Sequence, residues 1–135
     1  MAAAVADYRP IAQVPGKMDK SASAELTITL ERTDDILLDL AARRTPTQLL
    51  IGFAAEHGAA GVERAREKRV RKRVDLIVHN DIALPGVGFE GPDNAVTIVG
   101  DTFETAIGPA SKRACAEAIL DAAGATRDAQ RSADA

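Results

Sequence analysis

The sequence predicts an α/β fold, with a mostly parallel, Rossmann-like sheet that carries an antiparallel hairpin at one edge. Three observations lead to this prediction. Short, continuously apolar runs, typical of strands buried on both faces, alternate with helical segments. A chain of 135 residues has room for one modest core. Near its end, two segments of strand character are joined by Gly100 and Asp101, which is typical of a hairpin.

The first buried strand is predicted at residues 2–6 (AAAVA), at the start of the chain. A central strand of an α/β sheet normally has crossover units on both sides, so we expect a sheet that is incomplete on its N-terminal side. Residues 8–24 follow, where Pro10, Pro15 and Gly16 interrupt any periodicity. A loop of this length in a compact domain is usually functional or disordered, which predicts a mobile flap.

The next unit is a strand and a helix. Residues 26–30 (LTITL) predict the strand, and Thr33, Asp34 and Asp35 then offer an N-cap for the helix. That helix is expected to end near Thr45 and Pro46.

The middle of the chain repeats this pattern. Residues 49–53 (LLIGF) predict a second buried strand, and residues 54–56 a turn into a helix over residues 61–73. Residues 76–78 predict a third buried strand that ends at residues 79–81.

The last part of the chain contains the hairpin and one more helix. Residues 94–99 and 102–107 are the two hairpin strands, and Ser111 caps an amphipathic helix. Residues 124–135 are polar and alanine-rich, which predicts a frayed, disordered tail. We therefore assign residues 1–123 to a single domain.

Composition excludes several classes of protein. The chain has 17 basic and 20 acidic residues and only 3% aromatics, which argues against nucleic acid as a partner. The single cysteine, Cys115, excludes an internal disulfide, and His57 and His79 lack metal-ligand spacing with it. No apolar run approaches the roughly 18 residues of a membrane span, and a basic leader is absent. We expect a cytoplasmic protein without a membrane partner or a protein-built metal site.

The predicted strand ends suggest a ligand site. Ligands of open α/β sheets bind outside the carboxyl ends of the strands. Asp7, Phe53 and Asn80 lie at three such ends and offer an acceptor, an apolar surface and an amide. This set suits a polar heterocycle with a ribose. The alternative is that Asp7 and Asn80 cap loops while Phe53 belongs to the core.

The densest positive charge lies at residues 64–73. Within the predicted helix, Lys68 and Lys72 are one turn apart and face the same way. Like charges at this spacing repel by a few tenths of a kcal/mol. An anion such as a triphosphate between them would relieve that repulsion. The alternative is an ordinary solvated helix face, and a contact with nucleic acid is a weaker third interpretation.

Six segments, taken in order, closely resemble phosphopantothenate-cysteine ligase, which in bacteria is usually the C-terminal half of a bifunctional flavoprotein of coenzyme A biosynthesis. The resemblance covers nearly the whole chain. The segments are AAAVADYRP at residues 2–10, GKMDK at 16–20, IGFAAE at 51–56, AREKRVRKRVDLIVHND at 65–81, GFEGPDNAVTIV at 88–99 and SKRACAEAILD at 111–121.

The resemblance implies a CTP-dependent ligase. Bacterial members activate the carboxylate of 4'-phosphopantothenate as an acyl cytidylate and release pyrophosphate, with Mg²⁺ accompanying the nucleotide. The amine of cysteine then displaces CMP. A bare carboxylate is a poor electrophile, whereas the mixed anhydride has a leaving group whose charge lysines and Mg²⁺ stabilise.

The resemblance also implies site residues, position by position. Lys17 resembles the catalytic flap lysine that closes over the reacting centre, and Lys68 and Lys72 resemble the pair that binds the triphosphate. Together with Phe53, these lysines predict one site where the strand ends meet the basic helix. The implied nucleotide-binding residues are Ala2, Ala3, Asp7, Lys17, Asp34, Asp35, Ile36, Leu37, Phe53, Lys68 and Lys72.

The chain departs from the family pattern at several positions. Asp19 stands where the flap motif K-x-K-K has a lysine, and His57, His79 and Asp34 replace the more usual Thr, Ala and Pro. The Gly-rich first loop and the Asn-His-Ser-Ser-Gly-Lys segment of the family's amino-terminal half are absent. We therefore expect a CTP-binding part that forms a homodimer and is inactive without the missing N-terminal half. The alternative is a non-catalytic nucleotide-binding or dimerisation module.

Overall fold

The computed structural model describes residues 5–12, 15–16, 25–56, 60–82 and 91–133. They belong to two compact units, Met1–Ile36 and Leu37–Ala135, which are described separately. The elements in chain order are β1 (Tyr8–Pro10), β2 (Leu30–Arg32), α1 (Ile36–Arg43), β3 (Ile51–Glu56), α2 (Ala60–Lys72), β4 (Leu76–Asp81), β5 (Asp93–Val99), β6 (Glu104–Ser111) and α3 (Lys112–Ala133).

The second unit is built on a four-stranded sheet in the order β3-β4-β5-β6. Strands β3 and β4 are parallel, whereas β5 is antiparallel to both β4 and β6. The predicted α/β fold with an antiparallel hairpin at its edge is confirmed. Within the described residues one of the three strand pairs is parallel, so the sheet is mixed.

Helices cover both faces of this sheet, because side chains along a strand alternate between faces. On one face, Ala54 of β3 and Ile77 of β4 pack with Ala65 of α2. On the other face, Val78 of β4 packs with Cys115 of α3. The core therefore consists of two apolar layers separated by the sheet.

The first unit contains an antiparallel pair in place of the predicted strand and flap. Tyr8–Pro10 pair with Leu30–Arg32, and every residue of both strands is exposed. The strand predicted at residues 26–30 is wrong before Leu30, because the pairing with β1 begins there. In the strand predicted at residues 2–6, Val5 and residue 6 are exposed and not in a strand, and the rest lies outside the described residues. Of the predicted flap, residues 13–14 and 17–24 also lie outside them.

Strands β3 and β4 extend further than the sequence predicted. Residues 54–56, predicted as a turn, are the last three residues of β3, and residues 79–81 complete β4. The two strands stay in parallel register as far as Glu56 and Asp81. Beyond that pair, Ile82 still donates a backbone hydrogen bond of 3.2 Å to the Glu56 carbonyl. The pairing satisfies backbone groups that a turn would leave to solvent.

The C-terminal helix is longer than predicted. Ser111 caps it as expected, with its Oγ accepting a 3.2 Å hydrogen bond from the Ala114 amide. The predicted frayed tail is wrong for residues 124–133, which continue α3 as a helix. The amide of Gln130, in the last turns, donates a 2.8 Å hydrogen bond to Asp75 at the start of β4. This long-range contact favours helix where the local sequence favours fraying.

Candidate functional site

The residues predicted to bind a nucleotide are divided between the two units. Ala2, Ala3 and Lys17 lie outside the described residues. Asp7, Asp34, Asp35 and Ile36 belong to the first unit, and Leu37, Phe53, Lys68 and Lys72 belong to the second.

In the first unit, the structure brings Asp7 next to the start of α1. The Asp7 carbonyl accepts a 2.9 Å hydrogen bond from the Thr33 amide, and the Thr33 hydroxyl donates a 2.6 Å hydrogen bond to the residue 6 carbonyl. Both Asp7 and the following Asp34 are exposed. The Asp7 backbone is therefore held beside Thr33, the residue before Asp34.

Leu37 belongs to the second unit and packs against its apolar core. Its side chain packs against the apolar layer below α2, where a Cβ added at Gly52 would lie 3.0 Å from Leu37 Cδ2. A contact between this residue and a nucleotide would therefore come from its backbone.

Phe53 forms one wall of a groove on the face of the sheet that carries α3. The Phe53 side chain is 57% exposed, and the groove has a volume of about 320 Å³. At its polar end, Asn94 Nδ2 donates a 2.8 Å hydrogen bond to Asn80 Oδ1. The walls of the groove are mostly apolar, and this amide pair is among its few polar groups. The lining residues are Phe53, Val78, Asn80, Asn94, Val96, Lys112, Cys115, Ala116, Ile119 and Leu120.

The two predicted phosphate-binding lysines share one face of α2. Gly61, Ala65, Lys68 and Lys72 follow the helical repeat, and the first two are buried against the sheet while the lysines are half-buried. The prediction that Lys68 and Lys72 lie one turn apart on a single helix is confirmed.

Lys68 differs from the arginines around it. Arg64 pairs with Glu56, Arg66 with Glu63 and Glu104, and Arg69 with Asp101. Among the described residues, Lys68 has no ion-pair partner within 4.0 Å. A half-buried lysine outside such a pair can attract an anionic ligand.

Glu56 marks the end of β3 beneath α2. The hydrogen bond from Arg64 lowers the pKa of the Glu56 carboxyl, and electrostatic interactions with Arg64, Lys68 and His79 add to this effect against partial desolvation. The carboxyl end of β3 therefore carries a fixed negative charge within electrostatic reach of Lys68.

The sheet separates the groove from the lysines. Phe53 shares the α3 face with Val78, its partner across the strand pair, whereas α2 packs on the opposite face above Ala54. Neither Lys68 nor Lys72 lines the groove. The predicted single cavity uniting Phe53 with the two lysines is therefore wrong for the described part of the chain, and the features form two separate surfaces.

The chain matches the DNA/pantothenate metabolism flavoprotein C-terminal domain over residues 1–126. It belongs to this family. The resemblance seen in the sequence is thereby confirmed, independently of how the site residues are arranged.

Curated relatives support the same assignment. The chain is 39% identical over 119 residues to the coenzyme A biosynthesis bifunctional protein CoaBC of Vibrio vulnificus, covering 87% of this chain and 29% of that protein. The CoaBC protein of Escherichia coli is 36% identical over 121 residues, covering 88% of this chain and 30% of that protein. This flavoprotein-family chain thus spans less than a third of the length of these relatives.

Solved structures share its fold. The C-terminal domain of CoaBC superposes with a TM-score of 0.63 at 34% identity, covering 88% of this chain and 48% of that one. A Cab2 mutant in complex with phosphopantothenate-cysteine gives a TM-score of 0.69 at 16% identity, covering 98% of this chain and 44% of that one. At this low identity the Cab2 likeness concerns the fold alone.

Two kinds of feature, a membrane-spanning helix and a cluster of metal ligands, are not found in the described part of this family member. None of its helices is both long and apolar enough to cross a membrane. In the same residues, His, Cys, Asp and Glu side chains form no group of three or more that could hold a metal ion.

Sequence reasoning missed some residues of the groove in this family member. Asn94 begins the predicted hairpin and Lys112 the last helix, so both were assigned to structure only. The amide of Asn94 meets Asn80 because β5 pairs with β4. The available signal was a polar residue at the start of a strand. Only the strand order shows that this residue lies beside Asn80.

Proposed function

We propose that this chain is the CTP-binding part of a phosphopantothenate-cysteine ligase in coenzyme A biosynthesis. The observation that carries the proposal is that, among the described residues of a member of this family, the half-buried Lys68 forms no ion pair within 4.0 Å. The reaction activates the carboxylate of 4'-phosphopantothenate as an acyl cytidylate, with release of pyrophosphate. The amine of cysteine then forms the amide and displaces CMP.

The α2 face is the proposed site of the triphosphate. Lys68 and Lys72 supply two positive charges one turn apart, and phosphate oxygens placed near them would remove their mutual repulsion. In the transition state these charges would stabilise the pyrophosphate that leaves.

Mg²⁺ would accompany the triphosphate. It is a hard cation that usually takes one or two carboxylates together with substrate phosphates. The resemblance assigns Asp7 and Asp34, two exposed carboxylates of the first unit, to the nucleotide. When bound, the ion would neutralise charge that develops on the phosphates.

The groove beside Phe53 is the proposed site of the acyl substrate. Its apolar walls suit a chain that carries methyl groups, and the Asn80–Asn94 pair keeps amide donors and acceptors for a polar group of that chain. The sheet would then hold acid and nucleotide on opposite faces, with the reaction at the carboxyl ends of its strands. Under this proposal Phe53 contacts the acyl substrate and not the nucleotide that the resemblance implied.

Turnover is proposed to need the N-terminal half of the ligase domain. Lys17 keeps its predicted catalytic role in closing over the reacting centre. In an assay with that half supplied, we expect Lys17→Ala to reduce turnover more than CTP affinity.

Thermal unfolding with CTP, ATP and GTP, each with Mg²⁺, tests the proposal. A ligand at about 100 times its dissociation constant stabilises the folded chain by roughly 2.7 kcal/mol. We expect a shift in Tm that is largest for CTP. Equal shifts with all three nucleotides, or none, would contradict the proposal.

A second candidate is a non-catalytic dimerisation module of the same fold. The β1–β2 pair favours it, because Tyr8, Leu30 and the neighbouring Ile11 and Ile28 are all more than half exposed. Such an apolar patch is typical of a protein interface, in this case with a second copy of the chain. Pyrophosphate release by the chain alone, given phosphopantothenate, CTP and cysteine, would eliminate this candidate.

A further inference from the structure

His79 is a buried histidine whose ring lies against the first turn of α2. It is only 3% exposed and, with Ile77, belongs to the face of β4 that α2 covers. A Cβ added at Gly61 would lie 2.2 Å from His79 Nε2 and 2.9 Å from Cε1. Real Cβ atoms essentially never approach a neighbour so closely, so the ring occupies the space that any other residue at position 61 would need.

A hydrogen bond at Nε2 does not account for the position of this ring. In the part of the chain that the structure describes, His79 Nε2 is buried and has no hydrogen-bond partner. A buried polar atom in this state destabilises the fold. The contact between the ring and Gly61 is therefore a steric one, in which the imidazole acts as a spacer between strand and helix.

The spacing at Gly61 affects the rest of the same helix face. Ala65 and Lys68 follow Gly61 on the side of α2 that faces the sheet, and Lys68 is about 10 Å further along the axis. Arg64 also ties the helix to Glu56 at the end of β3. A change in the distance between the sheet and the first turn of α2 would tilt the helix, because the Arg64–Glu56 pair still holds it. The tilt would move the Lys68 ammonium.

We propose that His79 is a positioning residue for Lys68. The thickness of its ring against Gly61 sets the distance between β4 and the first turn of α2, and with it the place of the Lys68 ammonium near the end of β3. The consequence for CTP binding rests on the proposed function, whereas the position of Lys68 does not.

Lysine acetylation followed by mass spectrometry tests the position of Lys68 directly, with Lys112 on α3 as the internal control. In His79→Ala we expect the ratio of Lys68 to Lys112 labelling rates to change by about threefold or more, because the spacer is lost. Gly61→Ala should change it too, because the added Cβ pushes the helix away. The double variant His79→Ala with Gly61→Ala replaces part of the lost volume and should bring the ratio back towards the wild-type value.

Val62→Ala is the matched control. Val62 packs against the same apolar layer but the variant leaves the His79–Gly61 contact intact, so we expect a lower Tm with an unchanged labelling ratio. His79→Asn, which keeps part of the side chain, replaces His79→Ala if the latter does not fold. A wild-type labelling ratio in a folded His79 variant, or the same change in Val62→Ala, would overturn the proposal.

Titration with CTP and CMP then separates this proposal from the proposed function. We expect His79→Ala to weaken CTP, which carries the extra phosphates, several-fold more than CMP. If the wild-type chain binds no CTP while the labelling ratio responds as predicted, the proposed function fails and the positioning role stands. If CTP binds and the labelling ratio responds but the CTP-to-CMP ratio is unaltered in His79→Ala, the positioning role stands and the proposed triphosphate site at Lys68 fails.

Discussion

Arg44 Nη1 donates a 2.5 Å hydrogen bond to Asp75 Oδ2, and this ion pair is the best-buried one in the described part of the chain. The Asp75 side chain is 5% exposed. It also accepts hydrogen bonds of 2.7 Å from the Leu50 amide and 2.8 Å from Gln130 Nε2. One carboxylate therefore joins the segment after α1, the approach to β3, the start of β4 and the end of α3.

We expect Asp75→Ala to lower the free energy of unfolding by about 3 kcal/mol or more, because it leaves buried donors and a positive charge without their acceptor. Urea unfolding followed by circular dichroism measures the change. Asp39→Ala is the control: it removes an exposed i,i+4 partner of Arg43 and should cost about 0.5 kcal/mol or less. Similar losses in the two variants would show that the Asp75 network does not stabilise the fold.

We expect Lys68→Ala and Lys72→Ala to weaken CTP binding by about tenfold each, since hydrogen bonds to charged groups contribute about 1.5–3 kcal/mol. Isothermal titration calorimetry with CTP and Mg²⁺ measures the affinity. Arg71→Ala removes the same charge from an exposed position of α2 and serves as the control. If Arg71→Ala weakens CTP as much as the lysine variants do, the effect is one of net charge and not of the proposed site.

Glu56 should make stability depend on pH on the acidic side. Because Arg64 holds the Glu56 pKa below its ordinary value of 4.5, the folded state gains stability above that pH. This gain is lost as the pH falls through the lowered pKa. We expect wild type to be more stable than Glu56→Gln at pH 6 and the difference to shrink steadily below about pH 4.5.

Urea unfolding of both proteins across this pH range is the measurement. Glu63→Gln, on the exposed side of α2, is the matched control and should show a smaller dependence. A difference between wild type and Glu56→Gln that stays constant with pH would mean that the Glu56–Arg64 pair does not contribute through ionisation.

A bulky side chain placed in the groove beside Phe53 should block one ligand and not the other. Ala116→Phe places a ring among the lining residues of α3, and we expect it to abolish binding of phosphopantothenate while CTP still binds on the other face. Arg113→Ala, also on α3 but exposed, is the control and should leave both ligands unaffected. Phosphopantothenate is titrated in the presence of CTP and Mg²⁺. Loss of both ligands in a folded Ala116→Phe variant would mean that the two surfaces form one site.

Several features followed from the sequence because they depend on neighbours along the chain. The hairpin, the Ser111 cap and the shared face of Lys68 and Lys72 all follow from local geometry, although the turn takes residues 100–103 and the second strand begins at Glu104 and not at residue 102. The series of motifs was enough to predict the family for the same reason, because motifs at fixed spacing are recognised in the sequence without knowledge of the fold. Each of these features involves side chains within a few turns or one hairpin of each other.

The tertiary structure alone decided which features meet. Phe53 and Lys68 were expected in one cavity, but they lie on opposite faces of the sheet because α2 packs over Ala54, the residue next to Phe53. Side chains along a strand alternate between the two faces of the sheet. The face on which a helix packs therefore decides which strand residues that helix contacts. The end of α3 was decided in the same way, by the hydrogen bond between Gln130 and Asp75. Interactions between residues far apart in the chain have free energies that no local pattern contains, which is why the sequence determined the elements and the packing determined the site.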